Sequence, residues 1–204
     1  MVSIDNVINV IKYVKTSKTR YNGKNSDIGY HSFTLNGKNY EGQRNNIERI
    51  NVIDKHISLK DKKVLDVGCN MGGMLFDMSS LILNGVGIDN NPKSINAANI
   101  VKNYNKNDNL QFYMFNLDKE DLSFLNNFIG ESVDIILFLS VAMHIKKWKD
   151  TIIYCKNTTP FLIFESNGSL SLQFKQKAFL NEMYNKVKEI GNFGNRTMFF
   201  CKNE

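Results

Sequence analysis

The chain of 204 residues lacks any apolar run that approaches the roughly 20 residues a membrane-spanning helix needs. Its first residues contain neither a basic stretch nor the long apolar core of a secretory signal. The length suits one domain that buries its core without disulfide bonds or metal ions. We therefore expect a single α/β domain in the cytoplasm, with no membrane association.

Cysteine and histidine are scarce, with three residues of each type. Cys69, Cys155 and Cys201 are widely spaced, odd in number and without a C-x-x-C pair. Such a set does not form a disulfide framework, and too few histidines accompany it for a zinc site. We expect three free thiols and no bound metal.

Acidic residues are the minority among the charged ones, with 20 Asp and Glu against 26 Lys and Arg and a formal net charge of +6. A positive charge favours an anionic partner such as RNA or a phosphorylated metabolite. The lysines are dispersed, however, and no basic stripe is interleaved with aromatic residues as in nucleic-acid-binding surfaces. Nucleic acid is therefore the less favoured partner, and the oligomeric state stays open.

The clearest local pattern is an apolar run at residues 64–67 followed by a glycine-rich turn at residues 68–73. A short apolar run, a glycine cluster and a new apolar periodicity from Met74 are typical of a buried parallel strand that turns into a helix. Such a turn directs backbone N–H groups and the positive end of a helix at a ligand above the strand. The stretch predicts a ligand-binding turn.

Two carboxylates distinguish this turn from the G-x-G-x-x-G turn of dinucleotide-binding proteins, in which Asn70 would have to be glycine. Asp66 precedes Gly68 by two residues, where it would repel a pyrophosphate but accept a hydrogen bond from an ammonium group. About 20 residues further on, Asp89 ends a second apolar strand, and its carboxylate can bind two vicinal hydroxyls. An ammonium and a ribose around a phosphate-free turn indicate S-adenosylmethionine rather than NAD.

At these residues the chain resembles the class I, Rossmann-like S-adenosylmethionine-dependent methyltransferases. Residues 64–74 are similar to their first motif, a V-L-D-x-G-C-x-x-G pattern, and residues 87–90 to their second. The resemblance covers residues 61–203 and implies a doubly wound, mostly parallel seven-stranded sheet with a C-terminal antiparallel hairpin. We therefore expect a methyltransferase domain at residues 61–204, preceded by an extension at residues 1–60 that closes over the active site.

The remaining segments fit this alternation of strands and helices. Strands are predicted at residues 110–115, 133–140, 160–165, 187–193 and 197–201, with helices near Pro92, Trp148 and Leu172. In the extension we predict a helix at residues 3–15, a loop at residues 16–27 and a hairpin around Asn36-Gly37. A helix at residues 45–56 should place Ile47, Ile50 and Ile53 on its inner face.

The resemblance assigns cofactor binding to residues at the carboxyl ends of the first four strands of the methyltransferase domain. These residues are Asp66, Gly68, Cys69, Asn70, Gly72, Asp89, Asn90, Asn116, Leu117, Ser140 and Val141. Asn116 stands where the family commonly has an aspartate beside the adenine, and its amide oxygen can still accept a hydrogen bond from the adenine amino group.

His144 and Glu165, after the fourth and fifth strands, are the candidate catalytic residues. An imidazole titrates near neutral pH, so His144 is a candidate base or orienting group for the acceptor, and a packing or capping role fits it equally. The predicted acceptor contacts are Tyr40, Gln43, Arg44 and Trp148. Residues 42–44 are similar to a G-x-R element of the family, so Arg44, together with Arg49, can bind a carboxylate of cofactor or acceptor, or be a solvated charge.

The chain lacks two motifs, and their absence disfavours two classes of methyl acceptor. Residues 139–144 contain no Asx-Pro-Pro-aromatic motif, which accompanies amino methylation of nucleobases in this class, and no Pro-Cys pair serves pyrimidine carbon methylation. We expect methyl transfer from S-adenosylmethionine to a small-molecule, metabolite or lipid-like acceptor. The alternatives are an RNA or protein methyltransferase, an NAD(P)-dependent oxidoreductase and a catalytically silent cofactor-binding subunit.

Overall fold

The computed structural model of the protein describes residues 3–14, 28–44, 46–130 and 132–203. Its N-terminal part contains a helix, a short antiparallel strand pair and a second helix, namely α1 (Ile4–Tyr13), β1 (Phe33–Leu35), β2 (Lys38–Tyr40) and α2 (Ile47–His56). The loop expected at residues 16–27 lies outside the described residues.

Strands and helices alternate through the rest of the chain. They are β3 (Lys63–Val67), α3 (Gly73–Met78), β4 (Asn84–Asp89), α4 (Pro92–Asn105), β5 (Leu110–Met114), α5 (Asn126–Ile129), β6 (Ile135–Leu139), α6 (Trp148–Thr158), β7 (Phe161–Glu165), α7 (Leu170–Met183), β8 (Lys186–Phe193) and β9 (Arg196–Lys202). The seven strands from β3 onward form one sheet in the order β5-β4-β3-β6-β7-β9-β8. β9 runs antiparallel to both of its neighbours, whereas β3 to β7 are parallel. The predicted Rossmann-like architecture is confirmed.

The central strands are buried on both faces, which explains their nearly continuous apolar sequence. Leu65 and Val67 of β3 belong to the core cluster that contains residues of α6 and α7. Val64 belongs to the cluster on the other face of the sheet. That cluster also contains residues of α2, α3 and α4. The chain crosses to the other half of the sheet between β5 and β6, so β3 and β6 are neighbours and a crevice opens above their carboxyl ends.

The N-terminal extension shares a third core cluster with α4. Val7 and Ile11 of α1 are fully buried in a cluster that also contains Val101 of α4. The expected hairpin forms, and both turn residues, Asn36 and Gly37, have the positive φ that a two-residue hairpin turn needs. The extension is therefore packed on the domain through α4 rather than standing apart from it.

Two details of the predicted elements need comment. Ile47 was expected on the inner face of α2, but it is 48% exposed, whereas Ile50 and Ile53 are buried. The prediction for Ile47 was wrong because, at 3.6 residues per turn, it points about 120° away from Ile53 around the helix. The three cysteines are free and buried, as expected.

Within the described part of the chain, no helix has the length and apolar character needed to cross a bilayer.

The packing of α1 generates a stability prediction. Ile11→Ala removes a fully buried side chain and leaves a cavity between α1 and α4, so we expect it to lower the free energy of unfolding by about 2–5 kcal/mol. Urea unfolding measures this difference. Leu170→Ala is the control, because Leu170 is 70% exposed and its truncation should change stability by less than about 0.5 kcal/mol. If Ile11→Ala had the same free energy of unfolding as wild type, that result would show that α1 unfolds separately from the domain.

Candidate functional site

A cavity of about 670 Å³ lies above the carboxyl ends of the parallel strands. Residues from the strand ends form its floor, and residues of the N-terminal extension form one wall. Most of the residues expected at the site line it, namely Asp66, Gly68, Cys69, Asn70, Asp89, Asn90, Asn116, Leu117, Ser140, Val141, His144, Glu165, Gln43 and Arg44.

The turn after β3 approaches the turn after β6 very closely. Gly68 has a φ of +75°, and a Cβ atom there would lie 2.6 Å from Cγ2 of Val141. Its N–H and that of Cys69 both donate to the carbonyl of Ile88 in β4, at 2.8 and 2.9 Å. Only glycine satisfies both the positive φ and the close contact, so the first glycine of the motif sets the shape of the cavity floor.

Asp89 is fixed beside this turn by backbone N–H groups. Its Oδ2 accepts from the N–H of Asn70 at 2.9 Å, and its Oδ1 accepts from the N–H of Asn91 at 2.8 Å. Burial raises the pKa of Asp89, and these backbone N–H groups act in the opposite direction. Each carboxylate oxygen keeps a lone pair, so the side chain can accept from two vicinal hydroxyls.

Asp66 is the buried acid at the end of β3, with 3% of its surface exposed. Its Oδ2 has no hydrogen-bond partner among the described residues. Burial and the nearby charge of Asp89 raise the pKa of Asp66 to about 7. A buried carboxylate without a partner is costly, and an ammonium group of a ligand would supply both the charge and the hydrogen bond that are missing.

The far end of the cavity, above β5, is less polar. Phe115 and Leu117 are buried there, and Asn116 lies between them. The Asn116 side-chain oxygen accepts from the N–H of Asp118 at 3.0 Å, so one of its two lone pairs is used in a local turn. The other remains for a ligand, in a setting that suits a flat apolar ring.

The opposite half of the cavity is organised around Glu165, which is 1% exposed. Arg49 of α2 donates to its two oxygens from Nε at 2.7 Å and from Nη2 at 3.4 Å. Arg196 lies 3.5 Å from Glu165, and its Nη1 donates to the hydroxyl of Ser140 at 2.9 Å. The Ser140 hydroxyl in turn donates to Glu165. Glu165 therefore contacts two arginines and a serine.

The turn that carries His144 is held from below by a buried amide pair. Asn167 accepts from the N–H of Met143 at 3.0 Å and donates to the carbonyl of Ser140 at 2.5 Å. Gln176, which is fully buried in α7, exchanges two hydrogen bonds with the backbone of Asn167, both of 3.1 Å. These bonds fix both ends of the turn. The imidazole of His144 is exposed toward the cavity, and no hydrogen bond within the described residues holds it.

The wall from the N-terminal extension places a histidine and an arginine at the cavity. His31 and Arg44 form an isolated β-bridge, and a Cβ atom on Gly42 would lie 2.1 Å from the carbonyl carbon of His31. The Arg44 guanidinium lies over the ring of Tyr30, 5.1 Å from its centroid. Burial, followed by the charges of Arg44 and Arg49, lowers the pKa of His31 to about 3, so this imidazole is neutral.

Three residues expected at the site do not line the cavity. Trp148, at the start of α6, packs edge-on against Phe179 of α7, at 5.5 Å between ring centroids, and its indole is half-buried against the core there. Tyr40 packs on the core of the N-terminal extension. Gly72 begins α3 with a φ of +76°, and a Cβ atom there would lie 2.4 Å from the ring of Phe112, so it serves packing.

Sequence reasoning missed several residues of the cavity. His31 and Arg196 lie in or beside hairpins and match no motif. Ser94 is one of several serines, and whether it faces the cavity depends on the orientation of α4 about its axis. The Ser94 hydroxyl is buried without a hydrogen-bond partner among the described residues. Only His31 had a usable signal, since it lies two residues before β1, in the predicted hairpin region, and forms an isolated bridge with Arg44. No three side chains of the metal-binding types come together in the described part of the chain.

Comparisons with known proteins agree with this fold. The family model described as a methyltransferase domain matches residues 58–196. A search of curated proteins gave no significant match. Among solved structures, the N-terminal domain of EvdMO1, crystallised in the presence of SAH and D-fucose, is similar with a TM-score of 0.73 and 9% identity, over 100% of this chain and 98% of that one.

Two longer proteins are also similar in structure. The bifunctional kinase-methyltransferase WbdD has a TM-score of 0.61 and 18% identity, over 79% of this chain and 40% of its own. EvdMO1 itself has a TM-score of 0.66 and 10% identity, over 84% of this chain and 44% of its own. The chain thus spans less than half of either protein, and at these identities the likeness concerns the fold. Because the family model covers more than half of the chain, the protein belongs to the methyltransferase domain family, as its resemblance to the class I S-adenosylmethionine-dependent methyltransferases implied.

Proposed function

We propose that the protein binds S-adenosylmethionine in this cavity and transfers its methyl group to a hydroxyl of a small-molecule acceptor. The observation that carries the proposal is the pair of acids at the ends of β3 and β4. Asp66 is buried with an oxygen that has no hydrogen-bond partner among the described residues, and Asp89 is held beside the glycine turn. Together they match an ammonium group next to a ribose.

In this proposal each residue of the cofactor half has one task. Asp66 accepts a hydrogen bond from the ammonium group, and Asp89 accepts from the ribose hydroxyls. Asn116, Leu117 and Phe115 surround the adenine at the end above β5. S-adenosylmethionine supplies a methyl group that its sulfonium has already activated, so the protein mainly aligns the acceptor.

The small-molecule acceptor is supported by the size of the site and by one relative. A cavity of about 670 Å³ lies within the roughly 300–1,000 Å³ typical of small-molecule sites. The EvdMO1 domain was crystallised in the presence of a sugar, D-fucose, together with SAH. RNA and protein acceptors remain the alternatives, along with a catalytically silent cofactor-binding subunit.

His144 is the proposed base. It lines the cavity from the turn after β6, it is exposed, and no hydrogen bond within the described chain occupies its ring. The hydroxyl proton passes to the imidazole while the bond between the methyl carbon and the acceptor oxygen forms and the sulfur keeps the electron pair of the broken bond. Gln43 and Arg44 contact the ligand from the N-terminal extension, which we propose acts as the wall that closes over the acceptor.

The cofactor assignment is tested by calorimetric titration with S-adenosylmethionine, with SAH, its demethylated product, and with NAD. We expect the first two to bind and NAD not to bind. Asp66→Ala and Asp89→Ala should each lose about 1.5–3 kcal/mol of binding free energy, or tenfold or more in affinity. Asp108→Ala, an exposed acid outside the cavity, is the control. Binding of NAD alone would favour the oxidoreductase alternative.

The raised pKa of Asp66 predicts a pH dependence of stability without ligand. Asp66 has a pKa of about 7 in the folded protein against 3.8 for an ordinary aspartate, so between these values the folded state binds more protons than the unfolded state. The free energy of unfolding should therefore fall as the pH rises from about 4 to about 7, by up to about 4 kcal/mol from this residue. Urea unfolding of wild type and Asp66→Asn at pH 5 and pH 8 measures it. If the free energies of unfolding of the two proteins differed by the same amount at pH 5 and at pH 8, the raised pKa of Asp66 would be contradicted.

The acceptor class is tested by incubating the protein with methyl-labelled S-adenosylmethionine and separated metabolite, lipid, RNA and protein fractions of a cell extract. We expect label in the metabolite or lipid fraction. Label in RNA or protein would overturn the small-molecule assignment. Label in no fraction, despite tight binding of SAH, would favour the silent subunit.

With the labelled fraction as acceptor, His144→Ala should lower the turnover number by about 10²–10⁴-fold and leave the affinity for SAH unchanged. His56→Ala is the matched control, because His56 lies at the end of α2 and does not line the cavity. Full turnover in His144→Ala would show that the ring is not the base.

A further inference from the structure

We propose that His31, which the N-terminal extension contributes to the cavity, is a further cofactor-binding residue whose imidazole donates a hydrogen bond to the carboxylate of the amino-acid end of S-adenosylmethionine. This contact rests on the proposed function, because it adds a partner for the ligand that Asp66 and Asp89 are proposed to bind.

His31 reaches the cavity because two glycines leave room for it. A Cβ atom on Gly73, the first residue of α3, would lie 2.5 Å from Cγ of the imidazole. A Cβ atom on Gly42 would collide with the carbonyl group of His31, in the segment where His31 forms its bridge with Arg44. Because α3 follows the glycine turn after β3, the ring lies on the side of the cavity that carries Asp66.

The imidazole of His31 is buried, but one of its nitrogens has no partner. The residue is 7% exposed, and its Nδ1 atom forms no hydrogen bond among the described residues. The ring otherwise packs edge-on against Tyr30 and Phe33, at 4.7 and 6.5 Å between centroids. Packing alone would be served better by an apolar ring, because a buried nitrogen without a hydrogen bond costs free energy. A polar group of a ligand in the cavity supplies the missing partner.

The charges near the ring favour a carboxylate as that group. Burial, followed by the charges of Arg44 and Arg49, lowers the pKa of His31 to about 3, so the imidazole is neutral and has one N–H to donate. The Arg44 guanidinium also packs on the ring of Tyr30. Arg49 is paired with Glu165. Whatever their other partners, two positive charges close to the imidazole disfavour an ammonium group there and favour an anion.

The amino-acid end of the ligand then has one contact for each of its charged groups. Asp66 accepts from the ammonium through the oxygen that has no partner among the described residues, and His31 donates to the carboxylate. Hydrogen bonds to a charged group are stronger than those between neutral groups. Because a single carbon atom of the ligand carries both charged groups, the two contacts together fix its orientation. The N-terminal extension would thus contribute to cofactor affinity directly.

Two other roles would account for His31, and ligands that lack part of the amino acid distinguish them. Methylthioadenosine keeps the adenosine and lacks the amino acid, whereas decarboxylated SAH keeps the ammonium and lacks only the carboxylate. If the ring served packing alone, its replacement would weaken all of these ligands equally. If it bound the acceptor, its replacement would leave SAH affinity unchanged.

The test is calorimetric titration of His31→Phe, which keeps a flat ring against Gly73 and removes the N–H. We expect its affinity for SAH to fall about tenfold or more, and its affinities for methylthioadenosine and decarboxylated SAH to match wild type. His31→Asn should retain part of the SAH affinity, because its amide nitrogen can donate a hydrogen bond. His56→Phe is the matched control and should bind all three ligands like wild type, because His56 does not line the cavity and its Nδ1 already lies 2.9 Å from the carbonyl oxygen of Val52.

A second measurement uses the wild-type protein. The chain has three histidines, so NMR of protein with isotope-labelled histidine gives few ring-nitrogen signals, and those of His31 are identified by their loss in His31→Asn. We expect SAH to shift the ring-nitrogen signals of His31 and methylthioadenosine to leave them in place. Urea unfolding establishes that His31→Phe is folded, and if it is not, the NMR comparison decides.

Four results would overturn the contact. They are wild-type SAH affinity in His31→Phe, equal losses for SAH and methylthioadenosine in that variant, an equal loss for SAH and decarboxylated SAH, and His31 signals that SAH does not shift. The third result would assign the ring to the ammonium group instead. In each of these cases SAH still binds the wild-type protein, so the proposed methyltransferase function stands. If the wild-type protein did not bind SAH at all, the proposed function would fail, and the contact with it.

Discussion

The turn after β3 passes the turn after β6 so closely that a side chain at position 68 would collide with Val141. This contact joins the two halves of the sheet at the point where the strand order reverses. It depends on a glycine with positive φ and on the parallel pairing of β3 with both β4 and β6. Because the carboxyl ends of these strands meet there, the acids of one half of the sheet and the arginines beside the other half line the same cavity.

The cavity contains buried charged groups of a kind that lowers the stability of a protein core. Asp66 is buried without a partner for one of its oxygens among the described residues, and two largely buried arginines share the carboxylate of Glu165. Such groups are retained at functional sites although they reduce the stability of the free protein.

The N-terminal extension links stability to the site. The buried face of α1 and the β1–β2 hairpin pack on α4, and the same segment brings His31 and Arg44 to the wall of the cavity. Asn105, the last residue of α4, bonds to β1 and to the hairpin turn, donating to the carbonyl of Thr34 and accepting from the N–H of Asn36. The wall is therefore positioned by core packing.

The sequence by itself determined the architecture and the placing of Asp66 and Asp89 at the edge of the cavity. Strand and helix periodicities are local, and the glycine turn, Asp66 and Asp89 are placed by their spacing from strands that they follow directly. Parallel strands bring their carboxyl ends to one edge whatever the loops do, so these residues had to meet.

Tertiary structure alone decided the side of the cavity around Glu165. Glu165 and Arg49 are separated by 116 positions, and their pairing follows from how α2 packs against β8 of the C-terminal hairpin. Whether Trp148 faces the cavity or Phe179, and whether Glu165 is a free base or an ion-paired anchor, depends on the rotation of helices and on neighbours far along the chain. Residue type and spacing do not contain that information, because burial and pairing of a side chain are properties of the assembled core.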